Sequence, residues 1–191
     1  MLTTARAEVV TAPATEPVTI HEAKRHVELA TSDSQHDTEL NQAIEDARQQ
    51  WERDTGRYLI SRAMKVRVPY FGEYCFGHRH VTAIDSVTYF DLSNVSQTLA
   101  SSVYELDTAD DRFLLAYDQD WPSTLDRWDA VTINYTLGSH ADSTTVPAVD
   151  KRAILLLVGY YFRGNKGDDD RAHDQKAYER LVAKNVRSSY P

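Results

Sequence analysis

The chain has 191 residues, 41% hydrophobic and 26% charged, with a net charge of −8, which suits one sizeable domain or a core with one elaboration. The single cysteine, Cys75, excludes an internal disulfide and points to a reducing compartment, and the N-terminal residues lack the apolar run of a signal peptide, predicting no export. Residues 83–130 hold ten acids against Arg112 and Arg127 and so carry −8 by themselves, which argues against tight nucleic-acid binding through phosphate neutralisation.

Residues 1–16 are small, polar and aperiodic and read as a flexible N-terminal arm. In PVTIHEAKRHVEL, Thr19 followed three residues later by Glu22 is a capping box that satisfies free N–H groups at a helix start. Ile20, Ala23, Val27 and Ala30 then share one face of a short first helix. TSDSQHD is a loop, with Asp37 as the expected cap of the next helix. There Leu40, Ala43, Ile44, Ala47 and Trp51 form an amphipathic stripe, and Gly56 is a left-handed stop after Thr55.

Beyond Gly56 the period changes from helical to alternating. Ala63, Met64, Val66 and Val68 read as a strand, and AIDSVTYFDLSN, QTLASSVYELD, RFLLAYD and DAVTINYTL as four more. Frequent turns between them predict antiparallel pairing in a small sheet or half-barrel. Trp121 and Pro122 fall in a long acidic connection.

Pro147 in a first helical turn, with Asp150 favoured there by the helix dipole, opens a third helix over about 148–163. Residues 153–162, AILLLVGYYF, carry no charge. That run is too short for a membrane span and reads as a buried core helix. Three adjacent aromatics, Tyr160, Tyr161 and Phe162, point around most of its circumference, so an adjacent subunit is expected to cover what the chain cannot. Leu155, Leu156 and Trp51 complete the expected packing set. GNKG is a cap and turn, and DDDRAHD a solvated tip. A fourth helix over roughly 173–185 carries Lys176, Arg180, Lys184 and Arg187 as one basic stripe, with Tyr178, Leu181 and Val182 opposite as its docking face. The fold class is therefore α+β. About four helices form a core (residues 17–56 and 146–191), with an antiparallel β-rich insertion at 57–145 between helices two and three.

Candidate chemistry is sparse. Cys75, His78 and His80 form the one cluster of soft ligands, but a structural zinc site needs four ligands. In a strand, moreover, His78 and His80 would share a face from which Cys75 points away. A loop rim with chance histidines is the plainer reading, and a small metal-binding or enzymatic α+β protein using these three residues is the alternative. GNKG lacks the context of a phosphate loop, and the DDD tract lacks the ligand pattern of a calcium loop. Neither a G-x-S-x-G elbow nor an H-E-x-x-H motif occurs. No catalytic residue and no cofactor is assigned.

The segments PVTIHEAKRHVEL, ELNQAIEDARQQWERDTGRYLI and VPAVDKRAILLLVGYYFRGNKG, in this order, resemble the head–tail connector (adaptor) family of long-tailed bacteriophages and prophages. The longer branch, with its β-rich insertion between helices two and three, is the most similar. TGRYLI and VPAVDKRAILLLVGYYF are the most specific parts, and the resemblance covers about 17–190. It implies a non-enzymatic virion protein of the neck, made in the bacterial cytoplasm. Copies of itself, typically twelve, would form a ring beneath the portal protein, extend the DNA channel and receive a stopper or tail-completion protein. DNA would pass without sequence-specific binding, and no membrane is involved. The resemblance also implies portal docking through the C-terminal segment, here Lys176, Arg180, Lys184, Arg187 and Tyr190. Gene transfer agents use similar adaptors. CFGHRH and the Asp-rich loops match no motif of the family.

Overall fold

The computed structural model describes residues 7–77, 80–162 and 168–187, the side chains at 168, 170, 171 and 184–187 excepted. The chain divides into two compact units, one of Met1–Ala14 with Ser61–Ser139 and one of Thr15–Ile60 with His140–Pro191. The first is β-rich and the second helical, so the fold is α+β with a β-rich insertion between the second and third helices.

In the helical unit, α1 (Ile20–His26) starts at the expected capping box. The Thr19 hydroxyl accepts the Glu22 N–H at 3.2 Å, and the Glu22 carboxylate accepts the Thr19 N–H at 2.7 Å. The helix is shorter than its apolar spacing implies. Glu28 takes a left-handed φ of 61°, so Leu29 rather than Ala30 turns toward the core. The second helix, α2 (Asp37–Thr55), buries its whole stripe of Leu40, Ala43, Ile44, Ala47 and Trp51. Its cap differs from expectation. His36 takes the N-cap position without a side-chain capping bond, while Asp37 is the first helical residue and pairs with Lys24 Nζ at 2.6 Å. An ion pair with a buried lysine takes the carboxylate that the cap would have used. Gly56 ends the helix in the left-handed region (φ 65°), its N–H bonded to the Glu52 carbonyl at 2.9 Å.

The apolar helix is α3 (Ala148–Tyr161), with Pro147 at its N-cap. Helices α1 and α2 pack against it, as does α4 (Asp168–Arg187). Ala153, Ile154, Leu156, Leu157, Val158 and Phe162 are buried within this one chain, and Leu155, Tyr160 and Tyr161 are half-buried. The chain itself covers most of this helix, with α4 supplying much of the cover, and Leu155, Tyr160 and Tyr161 keep a partly exposed face. Helix α4 starts earlier than predicted, at Asp168, and the acidic tract is its first turn. Acidic residues are favoured in a first helical turn, and a run read as a solvated tip is a helix start. The predicted docking face holds: Tyr178 is buried, and Leu181 and Val182 pack on the same core. GNKG lies outside the described residues.

The β unit holds two antiparallel sheets. In the larger the order is β1 (Ala7–Val9), β2 (Arg62–Val68), β8 (Val131–Leu137), β4 (Val81–Phe90) and β5 (Ser96–Thr98). In the smaller it is β3 (Tyr74–Cys75), β7 (Arg112–Leu115) and β6 (Tyr104–Asp107). Alternate residues of β2 and β8 are buried, and Ile133 lies opposite both Val66 and Val87 at the sheet centre. Two readings are corrected here. Residues 7–9, placed in the flexible arm, form an edge strand in register with Met64–Val66, and Glu8 pairs with Lys65 and Arg67. An edge strand bonds through its backbone, so it needs no apolar alternation. QTLASSVYELD is two strands rather than one: a turn closed by the Val103 N–H on the Ala100 carbonyl sends β5 and β6 into different sheets.

Trp121 is not an idle loop residue. Its indole lies parallel to Phe71 at 5.0 Å and stacks on Phe113 at 5.3 Å, and Tyr104 and Tyr74 flank Phe113. The acidic connection is thereby pinned to an aromatic core. No helix among the described residues is long and apolar enough to cross a membrane.

Candidate functional site

In the helical unit, remote charges tie the elements together. The Arg48 guanidinium, buried on α2, donates to Glu16 at 2.8 Å and to Glu52 at 3.3 Å, which fastens the segment before α1. Burial raises the Glu16 carboxyl above the usual range despite that partner. Arg57, just past α2, reaches the buried Asp150 in the first turn of α3 at 3.4 Å. Lys151 Nζ donates to Glu22 at 2.8 Å. Burial opposes ionisation of Glu22, yet Lys151 and the Thr19 bonds lower its carboxyl below the usual range.

Helix α4 docks by a polar latch as well as by apolar packing. The Tyr178 hydroxyl donates to Asp54 Oδ2 of α2 at 2.7 Å. Burial, reinforced by the Asp54 carboxylate, pushes the Tyr178 phenol well above its ordinary value. Tyr160 and Tyr161 lie edge to face at 5.3 Å beside this latch and line a shallow cleft with it. On α4, Lys176 and Arg180 are exposed, one turn apart, which leaves their charges open to a partner. The side chains of Lys184 and Arg187, and Tyr190 entirely, lie outside the described residues, as does His78.

In the β unit, Cys75 and His80 line one cleft of about 460 Å³ with Asp110 and Asp111. Asp111 is engaged otherwise, accepting the backbone N–H of Val81 at 2.7 Å and of His80 at 3.3 Å. Among the described residues, no group of three or more His, Cys, Asp or Glu is placed to hold a metal.

The other feature is an apolar tip where β4 turns into β5. Asp91 Oδ1 accepts the N–H groups of Ser93 and Val95 at 2.9 and 3.0 Å, and its Oδ2 accepts the Gln97 amide at 2.9 Å. Those bonds, Gln97 first, hold its carboxyl below the usual range. Beside this turn the Arg127 guanidinium grips Asp129 at 2.5 and 3.0 Å, sits 4.2 Å over the Phe90 ring, and reaches Asn94 at 3.4 Å. Two rigid loops thus display Trp128, 72% exposed, and Leu92, 69% exposed, with exposed Val95. Sequence reading missed this tip. An exposed tryptophan and the half-buried Trp121 look alike until their neighbours are known.

No protein-family model matches the sequence, and no curated protein matches it. Solved structures do. A chain in the neck of an empty GTA particle computed with C6 symmetry is 20% identical with a TM-score of 0.70, the match covering 92% of this chain and 94% of that one. A chain in the virion of a native gene transfer agent (GTA) particle is 17% identical with a TM-score of 0.71, covering 93% of each. A chain in the neck of a native GTA particle computed with C12 symmetry is 18% identical with a TM-score of 0.62, covering 91% and 94%. At these identities the likeness is one of fold, and it extends over nearly the whole chain.

Proposed function

We infer that this protein is a non-enzymatic structural component of the neck of a phage-like particle, an adaptor whose copies form a ring between the portal and the tail. The observation that carries the reading is the fold match over more than nine-tenths of both chains, which takes in the β-rich insertion as well as the helices. Twelve copies is the expected number, supported by the C12 symmetry of one neighbouring neck. The exposed Lys176 and Arg180 on α4, continued in sequence by Lys184, Arg187 and Tyr190, form the portal-docking element in this reading. The acidic β unit would face the channel, where like charge lets DNA slide without counterion release, or the stopper protein. The particle is a phage, a prophage or a gene transfer agent.

The test is electron microscopy of the protein with and without the portal of its own particle. A ring stacked beneath the portal is the expected result, and persistent monomers that never bind would overturn it. Reversing Arg180 and Lys184 to Glu is expected to preserve the fold, read by circular dichroism, and to weaken portal attachment. Attachment at the original level would make the stripe a solvated face only.

A further inference from the structure

The apolar tip of the β unit has no function in the fold. Trp128 contributes little to the core, yet the loops on either side of it are fixed by the Arg127 and Asp91 bonds. A solvent-facing aromatic on loops that are already fixed, with aliphatic neighbours, is a common anchor of a protein–protein contact, because the backbone beneath it need not be ordered when it is covered. The charge around it narrows the partner. Asp91 and Asp129 are engaged by their own loops, whereas Asp126, two residues before Trp128, is exposed. Asp118 and Asp120 are exposed in the same connection. A two-fold pairing of tip against tip would bring like charges together, so the partner surface is a different one, basic and apolar.

The chain carries such a surface itself. Among the described residues every exposed large apolar side chain lies in the β unit except Val149, 54% exposed in the first turn of α3. One turn on stands Arg152, on the same side of the helix and exposed. The residues between are already engaged, Asp150 by Arg57 and Lys151 by Glu22. Within this turn Arg152 is thus the cation left for an outside partner. We propose that the tip formed by Trp128, Leu92, Val95 and Asp126 docks on the Val149–Arg152 turn of a second copy of this chain. The two patches differ, so the contact is heterologous, and it generates a ring when the rotation closes. It rests on the ring reading above and names the faces that build the ring. The patches are small against the ~1,600 Å² of a standard stable interface. Isolated pairs are therefore weak, and closure of the ring supplies the cooperativity.

The test replaces Trp128 by benzoylphenylalanine in the full-length chain and mixes it with an isotopically heavy copy. The mixture is irradiated at high concentration and in rings assembled on the portal. Mass spectrometry is expected to find light-to-heavy cross-links into the segment 147–152. Asp126→Lys and Arg152→Glu, each alone and each checked by circular dichroism, should cut the yield by roughly tenfold or more, as like-charge juxtaposition implies. The double reversal should restore it. Rings whose cross-links map elsewhere, or only within one chain, overturn this contact and leave the ring reading standing. Absence of both rings and cross-links overturns both.

Discussion

Replacing Tyr178 by Phe keeps the ring that packs against α2 and α3 and removes only the hydroxyl that bonds Asp54 at 2.7 Å. Hydrogen bonds to charged groups contribute about 1.5–3 kcal/mol. Asp54 is exposed and regains water when the partner is lost, which lowers the expected cost to about 1 kcal/mol at pH 8. The pH dependence is sharper. Burial and Asp54 hold the Tyr178 phenol above its ordinary value of 10.0, so the folded state keeps a proton that the unfolded chain releases. The contribution is fully present below pH 10 and declines as pH rises further, by about 1.4 kcal/mol at pH 11 for one proton. Tyr178→Phe has no such proton. The variant is therefore less stable than the original protein at pH 8 and equal to it or more stable near pH 11. Urea denaturation of both proteins at the two pH values, followed by helical circular dichroism, measures the crossing. A stability difference that does not change with pH would refute the latch and the docking of α4 that it stands for.

Leu156→Asp places a charge without a partner in the helical core, and is expected to cost about 4 kcal/mol or more and to unfold the helical unit, read as loss of the thermal transition. The Tyr74 phenol is pushed up to about 12, chiefly by burial, and it donates to the Tyr70 carbonyl. Spectrophotometric titration should find it among the late-ionising tyrosines of the folded protein, and Tyr74→Phe should remove that late component. Glu22 has a lowered carboxyl, so its contribution is present above the unfolded value of 4.5 and is lost as pH falls through the folded one. Glu22→Gln should thus weaken the protein at pH 7 while flattening its acid denaturation, and an unchanged acid limb would show that the Lys151 and Thr19 contacts contribute nothing there.

Elements whose signal lies within a few residues were legible in sequence. The α2 stripe, its Gly56 stop and the Thr19–Glu22 box are all local spacings, and each is where the periodicity puts it. The docking face of α4 could be read the same way, from Tyr178, Leu181 and Val182. The start of α4 was not, because an acidic tract suits both a solvated loop and a helix N-terminus. Strand β1 was hidden for a different reason. Its stability comes from backbone bonds to β2, which leave no trace in side-chain pattern. The candidate assembly faces divide similarly: Lys176 and Arg180 announce themselves by helical spacing, whereas the Trp128 tip depends on Arg127 meeting Phe90 and Asn94.

By itself, the sequence determined the helices seen among the described residues, one of them an apolar third helix, with β structure inserted between the second and third. Apolar periodicity and capping chemistry act over one or two turns, and no distant residue was needed to read them. Only the tertiary structure decided what covers that third helix, because α1 and α2 come from far away in the chain and the neighbouring α4 folds back on it through packing that local spacing does not show. It likewise decided which tryptophan is held in an aromatic stack and which is displayed to solvent. Burial is a property of neighbours brought together by folding, and residues seven positions apart in one acidic loop meet different neighbours.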